Sequence, residues 1–224
     1  MHGLKKGILI AIEGIDGSGK SSLAKNLHQE LLNQKYEVLL TKEPGATALG
    51  QQLRTLVQEK KIPICPKAEF LLFATDRAQH FHEIIIPQLA QGKIIVSDRM
   101  ADSSLVYQGF GRGLDQQIIA TINAWAMNTI KPDVTIYVKV TAETAAKRVM
   151  QRKAALTSFE QEKQEFIQKL IHGFDTLYKD RKDVIIIDGN QTLEQVVQQA
   201  TAAIISWIKK SSLRLQASAD RQIE

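Results

Sequence analysis

Five short apolar runs recur along the chain, and each is followed by a longer segment with the spacing of a helix. The runs are mostly β-branched and apolar at successive positions: Ile8–Ile12, Val38–Leu40, Ile94–Val96, Val134–Val138 and Val184–Ile187. Successive rather than alternating apolar positions are typical of strands that are covered on both faces. The pattern therefore predicts a buried, parallel, five-stranded sheet.

The segments between these runs have the pattern of amphipathic helices. Leucines recur every four residues after Lys20, and a long amphipathic stretch from Phe70 to Leu89 follows Pro66. Later helices are predicted over Leu114–Thr129, Thr141 to about Arg152, about Phe159 to Tyr178, and Thr192–Lys209. Because parallel strands need such crossovers, the alternation predicts a three-layer α/β/α sandwich of the doubly wound kind.

Nothing in the sequence divides the chain into separate units. It contains no stretch that repeats at a fixed period and no linker rich in Pro, Gly or Ser. We therefore expect a single domain over residues 1–209. Apolar periodicity ends after about Lys210, so residues 210–224 are expected to form a frayed tail.

Composition supports one globular core. The 224 residues are 44% hydrophobic and 24% charged, which is the ordinary balance of a folded domain of this size. The chain has 13 glycines and 5 prolines, too few for a collagen-like protein. Its abundant aliphatic residues exclude an intrinsically disordered chain.

Charge and cysteine content narrow the choice of partners and compartment. The net charge of +5 fits the binding of a small polyanion, and the scattered basic residues argue against a nucleic-acid partner. The single cysteine, Cys65, cannot form an internal disulfide and favours a reducing, cytoplasmic compartment. Glu13 stops the first apolar run, which is too short for a signal peptide or a bilayer span, so we expect no membrane association.

The strongest local motif lies between the first predicted strand and the first predicted helix. Residues 14–21 match the phosphate-loop pattern G-x-x-x-x-G-K-[ST], whose glycines let backbone N–H groups surround a phosphate at a helix N-terminus. Lys20 can reach the β and γ phosphates, and the Ser21 hydroxyl can ligate Mg²⁺. The expected nucleotide site comprises Gly14, Ile15, Asp16, Gly17, Ser18, Gly19, Lys20, Ser21 and Ser22.

A phosphate loop alone does not distinguish kinases from GTPases or ATPases. No Asn-Lys-x-Asp motif, which reads guanine, follows the later predicted strands, and this absence weakens the GTPase interpretation. The chain is also short for an ATPase motor. The reaction that the protein catalyses must therefore be inferred from the other motifs.

Four further motifs follow the phosphate loop in order: Thr41–Gly45, Phe73–Gln79, Asp98–Arg99 and Tyr107–Gly113. With the phosphate loop, they make residues 7–209 resemble the bacterial thymidylate kinases. The resemblance implies a homodimeric enzyme that uses ATP and Mg²⁺ to convert dTMP to dTDP in dTTP biosynthesis. Two alternatives stay open: a phosphate-loop kinase of another nucleoside monophosphate, and a catalytically weak nucleotide-binding protein.

One predicted strand end and the helix after the Glu-Pro-Gly loop supply charged groups for phosphates. Asp98 ends the third apolar run, where open α/β sheets bind ligands, and its carboxylate can hold the hydration shell of Mg²⁺. Arg99 and Arg54 are suited to a bidentate grip on a monophosphate. Taken alone, Arg54 could equally be a solvated surface arginine.

The resemblance also implies the residues that contact dTMP. Phe73 stacks on the pyrimidine, Arg77 reaches a base carbonyl oxygen, and Gln108 bonds the N3–H edge. Tyr107 packs where a 2′-hydroxyl would lie, and Ser103 makes a further polar contact near the base. The alternatives are a plain core residue for Phe73 and an ordinary helix-start serine for Ser103.

Two acidic residues complete the implied acceptor site. Asp16 contacts the acceptor sugar and is expected to orient it rather than act as a strong base, because a phosphate acceptor is already ionised. Glu43 forms the acidic side of the acceptor pocket. A capping or surface role is the alternative for Glu43.

Catalytic cationic charge is expected from a mobile lid at about residues 150–160. None of the variable phosphate-loop residues is basic, which resembles the bacterial subtype whose lid supplies arginines. Arg148 and Arg152, one helical turn apart, are the candidates, and Arg152 is favoured because it is nearer the predicted flexible segment. Ser158 stands where the family pattern has an arginine, so the lid departs from that pattern.

Overall fold

Five parallel strands form the middle layer of the fold. This computed structural model describes residues 7–59, 61–152 and 156–220, with backbone only over 212–220. The strands are β1 (Ile8–Glu13), β2 (Val38–Lys42), β3 (Ile94–Asp98), β4 (Val134–Lys139) and β5 (Val184–Asp188). Their order is β2-β3-β1-β4-β5, and all the pairings are parallel. The predicted strands and the α/β sandwich are therefore confirmed.

Helices connect the strands and cover the sheet. They are α1 (Lys20–Asn33), α2 (Ala48–Glu59), α3 (Pro66–His80), α4 (Ile86–Ala90), α5 (Ala101–Ser104), α6 (Gln116–Ala126), α7 (Ala142–Gln151), α8 (Gln164–Tyr178) and α9 (Leu193–Asp220). A π-helical segment, Phe81–Ile85, joins α3 to α4, and a second one, Leu105–Gly111, follows α5. Within the described part of the chain, every helix is too short or too polar to cross a bilayer.

The central strand β1 explains why its apolar residues are successive. Ile10 and Ile12 pack on one side of the sheet with the leucines of α1 and the apolar face of α9. Leu9 and Ala11 pack on the other side with Phe81 and neighbouring apolar residues. Successive side chains of a strand point to opposite faces, so a strand with helices on both sides needs apolar residues at every position.

The outer strands are covered less completely than the pattern predicts. In β2, the first three residues are only half-buried, and Ile186 in β5 is 55% exposed. Both are edge strands, so each has a neighbouring strand on one side only. The prediction that every strand is covered on both faces is therefore wrong at the two edges of the sheet.

The largest differences between predicted and observed helix ends are in α8 and α9. Helix α8 begins at Gln164 rather than near Phe159, because residues 157–162 form turns before it. Helix α9 continues to Asp220 instead of ending at Lys209. Its last turns thus include part of the segment predicted as a frayed tail, and residues 221–224 lie outside the described chain.

The π-helical segment after α5 is a feature that the sequence pattern did not predict. Its glycines allow it to pack closely on α8: a Cβ at Gly111 would lie 2.6 Å from the ring of Phe166. In the same contact, a Cβ at Gly173 would lie 2.8 Å from the ring of Phe110. This close packing fixes the segment that carries Tyr107 and Gln108.

Candidate active site

A cavity of about 760 Å³ lies at the carboxyl ends of β1, β2 and β3. Its walls include most of the predicted site residues: Asp16, Lys20, Ser21, Glu43, Arg54, Phe73, Arg77, Asp98, Arg99, Ser103, Tyr107, Gln108 and Arg152. Neighbouring parallel strands end at the same edge of a sheet, so motifs far apart in the sequence meet there. The other predicted phosphate-loop residues, 14–15, 17–19 and Ser22, do not line it, and neither does Arg148.

The phosphate loop between β1 and α1 has the backbone that its glycines allow. Gly17 has a φ of 82°, and a Cβ there would clash with the carbonyl oxygen of Ala145, so only glycine fits against α7. Lys20 begins α1, is 5% exposed, and donates from Nζ to the Ile15 carbonyl oxygen at 2.7 Å. Burial and the nearby Arg99 charge lower the pKa of Lys20 to about 8. An anion in the loop would stabilise its ammonium form.

Ser21 and Asp98 offer oxygen ligands side by side. The Ser21 hydroxyl donates to Asp98 Oδ2, while Asp98 Oδ1 is buried without a hydrogen-bond partner among the described residues. Mg²⁺ prefers such oxygens and fills its other positions with phosphates and water. The described residues hold no group of three or more His, Cys, Asp or Glu that would cage a metal by itself. The two side chains thus fit Mg²⁺ that is bound together with a nucleotide.

Arg99 is the centre of the polar contacts between the loops after β1 and β3. Its backbone is left-handed, with a φ of 73°, which is strained for a residue other than glycine. The guanidinium pairs with the Asp16 carboxylate and donates to the Gly14 carbonyl oxygen at 3.0 Å. It also donates to Ser103 Oγ at 2.9 Å and to the Tyr107 hydroxyl at 3.1 Å.

Asp16 is held as a carboxylate by these neighbours. Burial alone would raise its pKa, but the charges of Arg99 and Lys20 outweigh burial and lower the pKa to about 2. The Tyr107 hydroxyl donates to Asp16 Oδ2 at 3.1 Å. A carboxyl group that is ionised so readily is a weak base near neutral pH, and this suits the expected role of Asp16 in orientation.

Glu13 is a site residue that sequence reasoning missed. It is completely buried, and Oε1 accepts hydrogen bonds from the backbone N–H groups of Met100 at 2.8 Å and Ser103 at 3.2 Å. Its Oε2 accepts from the Ser103 hydroxyl at 2.6 Å. Burial, reinforced by the negative charge of Asp102, raises the pKa of Glu13 to about 7. The available signal was an acidic residue at the end of an apolar strand.

Glu43 and Arg77 form a buried ion pair beneath the acceptor side of the cavity. Arg77 Nε donates to Glu43 Oε2 at 2.8 Å, and His80 Nδ1 lies 3.1 Å from Glu43 Oε1. Glu43 is 4% exposed, so a surface role for it is wrong. Arg77 also donates to Asn123 Oδ1 at 2.6 Å and to the Met100 carbonyl oxygen at 3.2 Å. Each guanidinium nitrogen of Arg77 thus has a protein partner, which any base carbonyl would have to share.

The other predicted acceptor residues surround a space beside this pair. Phe73 is half-buried, and its ring centroid lies 6.0 Å from that of Phe159. Arg54 donates to the Pro44 carbonyl oxygen at 2.9 Å, which holds its guanidinium at the cavity wall. Gln108 is 1% exposed and donates from Nε2 to Glu69 Oε1 at 3.0 Å.

The predicted lid reaches across the cavity to α2. Ser158 donates from its backbone N–H to the Gln58 carbonyl oxygen at 3.1 Å and from Oγ to the Val57 carbonyl oxygen at 3.0 Å. Arg152 lines the cavity and forms an ion pair with the buried carboxylate of Glu160. Residues 153–155 of the lid lie outside the described chain.

Arg148 has a different position. Its guanidinium donates to the backbone carbonyl oxygens of Ser18 and Gln191, each at 3.2 Å. It therefore braces the phosphate loop from α7, whereas Arg152 faces the cavity.

Comparisons with known proteins agree on one family. The family model described as "Thymidylate kinase" matches residues 12–200. The thymidylate kinase of Thermoanaerobacter sp. (strain X514) is 41% identical over 92% of this chain and 98% of its own length. That of Kosmotoga olearia is 34% identical over 91% and 98%. A solved thymidylate kinase structure from Ehrlichia chaffeensis has a TM-score of 0.70 and 29% identity, covering 91% of this chain and 99% of its own.

Replacing Glu13 with Gln should change how stability depends on pH. The folded-state pKa of about 7 lies above the ordinary value of 4.5, so the folded chain binds more protons between these values than the unfolded chain does. The stability from Glu13 is therefore fully present below pH 4.5 and is lost as the pH rises through 7. Glu13→Gln cannot ionise but can accept the same N–H bonds.

Relative to the parent protein, Glu13→Gln should gain free energy of unfolding on the order of 2 kcal/mol from about pH 5 to about pH 8. Urea unfolding at several pH values measures this difference. Parallel stability curves for the two proteins would show that Glu13 does not carry the raised pKa.

Proposed function

The chain belongs to the thymidylate kinase family, and from this premise we propose how the residues of its cavity act. It is an ATP-dependent kinase that transfers the γ-phosphoryl group to dTMP and gives dTDP and ADP. This sets aside the two alternatives, a different nucleoside monophosphate and a catalytically weak protein. The observation that supports the assignment of roles is that Asp16, Lys20 and Ser21 of the phosphate loop line the same cavity as residues of the acceptor motifs.

We propose that the phosphate loop holds ATP through its backbone N–H groups and Lys20. The ammonium group of Lys20, which now bonds to the Ile15 carbonyl oxygen, would move to the β and γ phosphates. Ser21 and Asp98 would hold Mg²⁺, which when bound neutralises charge on the phosphates. The orphaned Asp98 Oδ1 supports this assignment.

On the acceptor side, we propose that Phe73 lies against the thymine ring and that Gln108 contacts its N3–H edge. Tyr107 would pack against the deoxyribose and disfavour a 2′-hydroxyl. Burial raises the pKa of Tyr107, which keeps the phenol neutral. Arg54 and Arg99 carry the positive charge for the dTMP phosphate.

Asp16 and Arg99 would act as an orienting pair between donor and acceptor. The attacking oxygen belongs to a phosphate that is already ionised, so the reaction needs positioning and charge neutralisation more than a strong base. The low pKa of Asp16 supports a role in orientation rather than as a base. Ser103 would help to hold the Arg99 guanidinium.

We further propose that the domain over residues 1–209, with its lid at about 150–160, works in the cytoplasm as a homodimer. Ile118 and Trp125 are 59% and 79% exposed and lie two turns apart on one face of α6. Leu71, on the neighbouring helix α3, is 51% exposed. An apolar surface of this kind suits a second copy of the chain. Sedimentation equilibrium measures the assembled mass directly.

Removing Lys20 or Asp98 tests the roles on the donor side. Each of Lys20→Ala and Asp98→Ala should lower kcat/KM for dTMP by at least about a hundredfold, because each removes charge neutralisation at the transferring group. A coupled ADP-release assay at saturating Mg²⁺ measures the change. Lys147→Ala, which removes an exposed lysine on α7, is the matched control. Near-normal turnover in folded Lys20 or Asp98 variants would refute these roles.

Substitution of Arg152 and Arg148 distinguishes an effect on catalysis from an effect on ATP binding. Arg152→Ala should lower kcat by about a thousandfold with little change in the Kd for ATP, because a cation that meets the γ-phosphoryl only in the closed transition state affects kcat. Arg148→Ala loses contacts to the phosphate-loop backbone instead, so its effect on kcat should be smaller. Ser158→Arg should raise kcat by adding a second cationic group.

Single-turnover kinetics and nucleotide titration measure these two effects separately. If both alanine variants turn over normally and Ser158→Arg changes nothing, the lid does not supply the catalytic charge.

A further inference from the structure

A buried carboxylate contacts Gln108, the residue proposed above to contact the acceptor base. Glu69, near the start of α3, is 1% exposed, and it accepts the hydrogen bond from Gln108 Nε2 at 3.0 Å. Gln108 lies on the π-helical segment after α5, 39 residues further along the chain. Two distant elements thus meet in one buried polar contact at the cavity wall.

The carboxylate is itself held in place. Arg112 Nε lies 3.3 Å from Glu69 Oε1, and its terminal nitrogen lies 3.5 Å from Glu69 Oε2. The Arg112 guanidinium is packed over the ring of Phe166 at 4.5 Å and donates to Glu162 Oε1 at 2.6 Å. The arginine therefore places a positive charge beside both carboxylate oxygens of Glu69. Carboxylate oxygens can only accept hydrogen bonds.

An acceptor-only partner decides the orientation of the Gln108 amide. The NH₂ group must face Glu69, because the reverse orientation would place a carbonyl oxygen against a carboxylate oxygen. The amide oxygen is then the end that is left for a ligand in the cavity. Among the described residues, no group donates a hydrogen bond to that oxygen, and Gln108 contributes to the cavity wall.

We propose that Glu69 is a positioning residue that fixes the Gln108 amide so that its oxygen faces the acceptor base. An oxygen at this place accepts from a pyrimidine that carries N3–H, as thymine does. It opposes a pyrimidine whose N3 is an acceptor, as in cytosine. This inference rests on the proposed contact between Gln108 and the base, and it adds the residue that decides which base edge is accepted.

Without an acceptor-only partner, the side-chain amide of Gln108 could adopt either of its two orientations. Glutamine in place of Glu69 can present either its oxygen or its NH₂ group to Gln108, so both orientations become possible. In the reversed orientation the NH₂ group of Gln108 would match the N3 acceptor of cytosine. A hydrogen-bonding site rejects the wrong base because binding it leaves polar groups without partners. If the Gln108 amide can reverse, cytosine no longer incurs this penalty.

The test compares dTMP with 5-methyl-dCMP, which differ only at N3 and at the C4 substituent. For Glu69→Gln, the ratio of kcat/KM values for dTMP over 5-methyl-dCMP should fall at least about tenfold, mainly through the acceptor KM. The KM for ATP should stay nearly constant. Glu162→Gln is the matched control, because it makes the same change at the other carboxylate on Arg112 without contacting Gln108, and its ratio should equal that of the parent protein.

A double variant that exchanges the residues at positions 69 and 108 distinguishes the proposed role of Glu69 from a simple folding defect. In Glu69→Gln/Gln108→Glu, the residue at the cavity is a carboxylate, which offers an acceptor oxygen in either orientation, and the amide introduced at position 69 can donate to it. The preference for dTMP should therefore recover relative to Glu69→Gln. Loss of core packing at position 69 would not be repaired in this way.

Three results would overturn the inference: an unchanged ratio in Glu69→Gln, an equal fall in Glu162→Gln, or no recovery in the swapped variant. Gln108→Ala separates this failure from failure of the proposed acceptor site. If Gln108→Ala leaves the ratio unchanged, Gln108 does not read the base and the acceptor proposal itself is wrong. If Gln108→Ala lowers the ratio and Glu69→Gln does not, only the role of Glu69 fails.

Discussion

The ion pair between Arg99 and Asp16 is the contact on which the site depends. The two residues follow β3 and β1, which are neighbours in the sheet, so their loops meet at the same edge. The Arg99 backbone N–H donates to the Ile12 carbonyl oxygen at 2.9 Å, which continues the strand pairing into the loop. A left-handed backbone at Arg99 then directs its side chain over the phosphate loop. Strain of this kind persists only where surrounding contacts enforce it.

This pair joins the two halves of the cavity. On the donor side, Asp98 precedes Arg99 in the chain and bonds to Ser21 at the start of α1. On the acceptor side, the Tyr107 hydroxyl contacts both Arg99 and Asp16. A shift of the Arg99 loop would therefore alter the phosphate loop and the sugar wall together. A phosphoryl-transfer enzyme works mainly by positioning its two substrates. Because one ion pair contacts both loops, it positions the donor side and the acceptor side relative to each other.

The sequence predicts the sheet and the cavity well because their signals are local. A buried strand between two helical layers must be apolar at successive positions, and a phosphate loop has a fixed spacing. The partners of buried charges give no such signal. Glu13 bonds to Met100 and Glu69 bonds to Gln108, over 87 and 39 residues of chain, and a lone glutamate gives no sign of such a partner. For the same reason, the contact of Ser158 with α2 and the full set of Arg77 partners emerge only from the fold.

A double-mutant cycle on Asp16 and Arg99, read out as kcat/KM for dTMP, tests most directly whether the pair acts as one unit. Asp16→Asn and Arg99→Met each remove one charge and keep much of the side-chain volume. Each single variant should lose activity strongly. The fraction of kcat/KM that the double variant retains should exceed the product of the two fractions that the single variants retain by at least about tenfold, because the second change removes an interaction that is already lost. Multiplicative losses, with no interaction between the two changes, would contradict the account.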